Sequence, residues 1–412
     1  VEHVILKLVA LFKNTVKHTN TKIKLFFYFI AVIVMLHQTI SASQYAPNIF
    51  FFKPSKDEAY LLDSSLTYSN GFATSAFDKN GNTVPFLSQY GPEDFLERFV
   101  DPSLGPDNLD SAGQGMFSGV YKFQQYRFEF QKNISHKIII GTIFSFQDIS
   151  ITNINPEFMS KKEPLSTHQM NYLEKLNQQI PKTINQSGFY EADFFIGYNE
   201  RLSHFNHIES FTSLLLVDIS TPQSMKSKNN SIFQFPCSAN IHFGYPVLAT
   251  VAIEVTNSFT FGFSGLVVPL QPVVTEIPIN RTGENNNLLF SQKTRAKINQ
   301  SPFINGIIYA EINKKSIGLT GTIAYSYAQY LQSKIVPMNT PEFPITHNNK
   351  SIVLDGYSLG ALLLQVDIDC TTTNKQLGPI ASFFISIPIA GRSYQKTYLF
   401  GGACNLELSY KF

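Results

Sequence analysis

The 412-residue chain contains no tryptophan, only three cysteines, and charged residues at just 15% of its length. The cysteines, Cys237, Cys370 and Cys404, match neither a disulfide framework nor a zinc-ligand spacing, and are read as small apolar side chains. A formal net charge of +2 offers no basic stripe, so nucleic acid is not an expected partner. A hydrophobic fraction of 43% with so little net charge excludes a disordered chain. Beyond residues 1–43 no stretch approaches 18 consecutive apolar residues, so no helical membrane span is expected in the mature chain, and an uncleaved anchor at the first apolar run is the weaker reading of that segment. The metalloprotease, nucleophile-elbow and phosphate-loop patterns are absent as well, and no cofactor is expected.

What the chain has in quantity is phenylalanine and tyrosine, 37 and 19 residues. Aromatic side chains fit the pleated, half-buried surface of a strand. The last segment, Tyr398 to Phe412, alternates without a break. One face carries Tyr398, Phe400, Gly402, Cys404, Leu406, Leu408, Tyr410 and Phe412, and the other carries small or polar residues. Such a segment is long for a soluble strand, which typically has about 5–6 residues.

The other end reads differently. Leu25 to Leu36 is an apolar run behind Lys22 and Lys24 that leads into Ser41-Ala42-Ser43, the pattern of a cleaved secretory signal peptide over 1–43. A long leader and an initial Val suggest a misassigned start. Removing 1–43 leaves 27 of the 32 basic residues and 29 of the 30 acidic ones, so the positive balance belongs to the targeting segment. Residues 44–58 are expected to form an N-terminal periplasmic segment.

Twelve strands are predicted between 59 and 412: 59–69, 116–131, 136–149, 189–199, 208–219, 244–255, 258–270, 303–312, 316–330, 352–369, 377–390 and 397–412. Their connections alternate. Those at 70–115, 150–188, 220–243, 271–302 and 331–351 are long, whereas 132–135, 200–207, 256–257, 313–315 and 370–376 are short, and 391–396 closes the series. In an up-and-down meander this places every tight turn at one end. A sheet can cross hydrocarbon only when it closes on itself, because every backbone donor and acceptor must then be paired internally. The predicted fold is therefore all-β: a transmembrane antiparallel up-and-down barrel of about 12 strands, with long external loops and short periplasmic turns.

The alternating last strand ending in Tyr410-Lys411-Phe412, the signal peptide and the loop alternation together resemble bacterial outer-membrane β-barrel proteins, porin-like in the broad sense. The resemblance implies that Leu406, Leu408, Tyr410 and Phe412 form the C-terminal signal read by the outer-membrane assembly machinery. It also implies location in the outer-membrane bilayer. The absence of Trp departs from the usual aromatic girdle, a place that Tyr and Phe can fill.

The function expected from these features is a porin-like channel for passive diffusion of small solutes. The alternatives are a closed barrel with structural or adhesive surface loops and an outer-membrane barrel hydrolase. The hydrolase reading has little support. Thr67-Tyr68-Ser69-Asn70-Gly71 is similar to the His-x-Ser-Asn-Gly motif of outer-membrane phospholipases, but Thr stands where the base belongs, and it reads better as a strand ending in an Asn-Gly turn. His204, His207 and Glu209 could complete a three-ligand metal site but fall at a short turn, and no metal is assigned. Asp355 and Asp367 share a face twelve residues apart, too far to act on one bond.

If the aromatic face of the last strand points outward, Asn405, Glu407 and Lys411 point into the lumen. By the same parity Arg127 and Glu129 are inward if Tyr126, Phe128 and Phe130 face lipid. Mixed signs at these five positions predict weak ion selectivity at most. The first long loop is expected to constrict or cap the barrel, and 168–180 to form a short amphipathic helix with Met170, Leu173, Leu176 and Ile180 on one side.

Overall fold

The computed structural model describes residues 61–94, 114–135, 137–159, 167–205, 208–222, 233, 245–256, 258–279, 288–289, 292–338, 356–370 and 377–409. The expected signal peptide, the segment 44–58, Cys237, His207, Asp355, Tyr410, Lys411 and Phe412 lie outside these residues.

Twelve long strands form the wall. They are β1 (Leu61–Ala73), β2 (Gln114–Asn133), β3 (Ile138–Met159), β4 (Thr183–Phe205), β5 (Ile208–Pro222) and β6 (Val247–Thr256). These continue as β7 (Phe259–Val268), β8 (Phe303–Lys314), β9 (Leu319–Tyr330), β10 (Tyr357–Asp369), β11 (Leu377–Arg392) and β12 (Tyr398–Ser409). Each pairs antiparallel with its neighbour in the chain. β1 closes the circle, pairing with β12 (Leu66 opposite Cys404) and with β2 (Leu66 opposite Phe128). The result is the closed up-and-down barrel expected from the sequence, the architecture of outer-membrane β-barrels, with no edge strand left in the wall.

Period-two alternation decides the two faces. Phe259, Phe261, Phe263 and Val267 of β7 are exposed on the outside, while Ser264 between them is buried inside. Ile304, Ile308 and Ile312 of β8 and Ile323, Tyr325 and Tyr327 of β9 continue the outer belt. Phe263 is 50% exposed, which in a water-soluble sheet would forfeit most of its transfer free energy and in hydrocarbon forfeits none. Tyrosines take the place of the missing tryptophans at the rims. At the short-turn rim Lys137 lies over the Tyr198 ring at 5.8 Å and pairs with Glu200 at 2.6 Å. The bond to Glu200 and the neighbouring Tyr198 raise the pKa of Lys137, keeping its ammonium charged at the surface.

The strands are not equally long. β6 and β7 have 10 residues each, close to the roughly 9–11 that a tilted strand needs to cross a bilayer. β2, β3 and β4 have 20, 22 and 23, about twice that length. β4 runs past Tyr198, the partner of Ile138, to Phe205 at the short-turn end, while β2, β3 and the start of β4, before its pairing with β5 begins at Glu191, project at the long-loop end. This corrects the expected loop 150–188: β3 runs on to Met159 and β4 begins at Thr183. The alternation there is blurred because the inner face turns apolar, with Ile149, Ile151 and Ile184 buried inside. β1 likewise runs through Asn70-Gly71 to Ala73, so no turn forms at that pair. Gly71 serves close packing instead, since a Cβ there would collide with the Leu399 side chain.

The long connections are folded. In the first, Ser75–Phe77 and Thr83–Pro85 form a hairpin, and Tyr394–Gln395 from the last connection adds a third strand to it. The hairpin turn is held by the Asp78 carboxylate, which accepts the amides of Asn80 and Asn82 at 2.8 Å each and the Asn82 side chain at 3.2 Å. Slight burial pushes this carboxyl upward, but the bonds from Asn82 and Asn80 outweigh it and hold the pKa below the usual aspartate value. A further small sheet joins Val273–Ile279, Gln292–Asn299 and Lys334–Pro337.

Between β3 and β4, helix α1 (Thr167–Gln179) forms where expected. Leu176 and Ile180 are buried and Leu173 packs against the same cluster, but Met170, one helical turn earlier, is 55% exposed. The apolar face is therefore shorter than the sequence pattern, because the helix runs out past the cluster it packs on.

Three outcomes are expected. Phe263→Arg, at the middle of β7 on the lipid side, destabilises the barrel by about 2–4 kcal/mol in reversible urea unfolding from vesicles, whereas Ser264→Ala on the inner face changes stability far less. Asp78→Asn removes the acid sensitivity of the first hairpin. In the unaltered protein that turn is stabilised above the unfolded-state aspartate pKa and loses the stabilisation as pH falls through the lower folded value, which protease nicking at 78–82 reads out. Phe117→Ala, inside the mouth, loosens the loop packing by about 3–5 kcal/mol, seen as faster cleavage between 74 and 94 with the heat-shifted barrel band retained.

Candidate pore and its lining

The candidate site is the inner surface of the barrel. Hydrogen-bond register places its residues, since side chains directly opposite each other in a ladder point to the same side. One row runs Ser382, Ala403, Thr67, Arg127, Ser145 and Glu191 across β11, β12, β1, β2, β3 and β4. A second runs Ile380, Asn405, Ser65, Glu129, Ile143 and Asp193 across the same strands.

Three of the five positions proposed for the lumen thus stand together. Arg127 and Glu129, two residues apart on one face of β2, form an ion pair at 3.3 Å, and Arg127 is only 3% exposed. Asn405 shares a row with Glu129, with Ser65 between them. Glu407 sits opposite Asp63 in the ladder, and Lys411 lies outside the described residues. Of the residues proposed for assembly, Leu406 and Leu408 are on β12, paired with Ser64 and Leu62.

The middle of the wall mixes small polar side chains with two apolar clusters, Ile307, Tyr309, Ala324 and Leu363 on one side and Ile139, Ile143 and Phe195 on another. Thr250 and Ser264 share a hydrogen bond at 3.0 Å, and Ser326 donates to Asn305 Oδ1 at 3.1 Å. Ser69, Gln147, Ser382 and Ser386 are also buried on this face. Ser69 stands opposite Gly401 and Gln125, so neither ladder neighbour supplies an imidazole to activate it. Among the described residues no three His, Cys, Asp or Glu side chains are grouped to hold a metal, and Cys370 and Cys404 carry free thiols.

At the long-loop end the lining changes character. On the β2–β4 side, Phe117, Tyr121 and Phe123 of β2 and Ile149 and Ile151 of β3 pack with Phe86, Leu87 and Tyr90 of the first loop and Ile180 beyond α1. Phe233 and Leu289, from two further loops, bridge to each other and join the same cluster, with the Phe117 and Phe233 rings 4.9 Å apart. On the opposite side Phe77, Phe303, Tyr330, Tyr357 and Tyr394 form a second cluster, with Tyr357 4.7 Å from Tyr394. Folded loops therefore pack against the inner face at the mouth.

Sequence reasoning missed most of the acidic lining. Asp63, Asp193, Glu254, Glu311 and Asp369 all occupy inward positions, as does Asp367, which the sequence had offered only as half of an unworkable pair. Parity against outward aromatics could have found them: Ile308 and Ile312 outside place Glu311 inside.

No family model matches this chain, and no curated protein matches it. Among solved structures it is similar to an outer membrane channel from Pseudomonas putida F1, at 8% identity and a TM-score of 0.49 over 89% of this chain and 100% of that one. It is also similar to the translocator domain of autotransporter NalP from Neisseria meningitidis, at 6% identity and a TM-score of 0.34 over 85% and 89% of the two chains. The outer membrane protein OprD from Pseudomonas aeruginosa follows at 10% identity and a TM-score of 0.28 over 87% and 95%. These likenesses are to barrels, and the fold of this chain is read from its own strand pairing.

Proposed function

We propose that this protein is an outer-membrane channel for the passive diffusion of small solutes, exported behind a cleaved signal peptide and inserted through its C-terminal strand. The observation that carries the channel reading is a closed wall with an apolar outer face and polar and charged side chains set among apolar ones on its inner face. A barrel whose interior served only as packing would favour apolar side chains there, as in small filled barrels. Here Thr67, Ser69, Gln147, Thr250, Ser264, Asn305, Ser326 and Ser382 sit on the inner face, buried among inward apolar side chains such as Ile143, Phe195, Ile307 and Leu363, opposite an outer face of Phe, Ile and Tyr. Twelve strands enclose a lumen between that of side-chain-filled eight-stranded barrels and that of the aqueous 16–18-stranded porins. Leu406, Leu408, Tyr410 and Phe412 are the residues through which the assembly machinery would recognise the last strand.

Single-channel recording from the folded protein tests this reading. Discrete, long-lived current steps are expected, and they grow when residues 75–94 are deleted, because that segment contributes to both apolar clusters at the mouth. Conductance no greater than that of a protein-free bilayer, from protein that retains its heat-shifted gel band in both forms, removes the channel reading.

The same clusters favour a second reading, a closed barrel that displays its loops for structural or adhesive contacts. Loop deletions that abolish surface binding without opening a pore support it over the first.

A further inference from the structure

Among the described side chains, the charge on the inner wall is mostly of one sign, in a way the individual strands do not reveal. Asp63, Glu129, Glu254, Glu311, Asp367 and Asp369 all point inward. Each stands within four residues of the short-turn end of its strand. They come from β1, β2, β6, β8 and β10, so they are spread around the circumference and form a ring at one depth range rather than a patch. Arg127 is the single cation on the inner wall among the described side chains, and it is matched by Glu129. The outer-face lysines, such as Lys122 and Lys132 of β2, share the parity of Tyr126 and Phe128 and do not offset the ring.

Resting on the channel reading above, we propose that this ring makes the pore cation-selective, so that the solutes it passes best are small cations and cationic organic molecules. The physics is the sum of fixed charge. A mobile ion in a narrow aqueous lumen responds to the net charge of the wall over about a Debye length, roughly 8 Å at physiological ionic strength. Rings of Asp and Glu are how cation channels obtain their preference. The inference depends on the sign and inward position of these groups, whichever local contacts each one makes.

Two details point to an occupant. Glu254 and Glu311 lie in one row on either side of Thr260, two strand spacings apart or about 10 Å. Like charges at that separation on one wall repel each other, and a cation between them is stabilised by both. The next residue in the row, Thr322, is buried on the same face with a hydroxyl oxygen that has no hydrogen-bond partner. It faces the ring as a neutral oxygen ligand beside Glu311. On the adjacent strand Gln365 donates to Asp367 at 2.6 Å, orienting that carboxylate within the wall.

The test is the reversal potential of the full-length folded protein in a planar bilayer under a KCl gradient. A potential on the potassium side is expected, with a permeability ratio for K⁺ over Cl⁻ several-fold above one. The ratio falls toward one near 1 M salt, where the screening length shrinks to about 3 Å. Glu254→Gln with Glu311→Gln lowers the ratio at least twofold while the current steps and the heat-shifted band remain. Asp367→Asn with Asp369→Asn does the same from another part of the ring, so a folding defect in one pair leaves the other to decide. Current that reverses at zero or on the chloride side, or a ratio unchanged in both pairs, overturns the selectivity while leaving the channel intact. Silence from the folded, unaltered protein overturns the channel reading itself, and the selectivity with it.

Discussion

Every feature of this molecule depends on pairing the backbone of a sheet inside hydrocarbon. A lone amide or carbonyl in the bilayer core costs several kcal/mol, and no water is there to relieve it. β1 meets this demand by pairing on one side with β12 and on the other with β2, so that the wall has no free edge. Once the sheet closes, the alternation of side chains divides the sequence between two solvents, lipid outside and an enclosed lumen inside. The same strand can then carry Phe261 and Phe263 outward while presenting Ser264 inward, without conflict between them.

The three longest strands show what happens where the hydrocarbon ends. Beyond the membrane the inner face of β2, β3 and β4 no longer borders the polar channel, and it gathers a water-soluble kind of core from Phe117, Tyr121, Ile149 and Ile151. Loop residues Phe86, Leu87 and Tyr90 complete that core, as does the buried side of α1. The hydrophobic effect that is irrelevant to the lipid-facing belt therefore returns at the mouth, where it folds the connections down instead of leaving them extended. A mixed middle, where Ser264 and Thr250 neighbour Ile307 and Leu363, gives way to an apolar, loop-built mouth with that change of solvent along one strand.

Much of the architecture was legible because a period of two, sustained over many strands and separated by alternating long and short connections, is a strong and redundant signal. Twelve strands were predicted and twelve form the wall, as in Phe259 to Val267 and Leu319 to Tyr330. The pattern failed where the inner face also became apolar. Ser150 to Met159 and Thr183 to Gly188 look like loop because they are rich in Ser, Thr, Asn and Gln with a Pro and a bulge near Asn153, and their alternation is inverted, polar outside and apolar inside. Asn70-Gly71 misled for a different reason. The dipeptide favours turns locally, but pairing to β2 and β12 on both sides holds it extended.

The sequence alone determined the class of the molecule, because amphipathic alternation is a local property and its consequence in a membrane is forced by backbone hydrogen bonding. It also proposed inward positions for Arg127, Glu129 and Asn405 from parity alone, which needs no partner strand. Only the tertiary structure decided how those faces add up. Whether Glu254 of β6, Glu311 of β8 and Asp367 of β10 share a ring depends on register between strands far apart in the chain. That register is fixed by turns, bulges and closure of the whole circle, none of which a single strand's pattern contains.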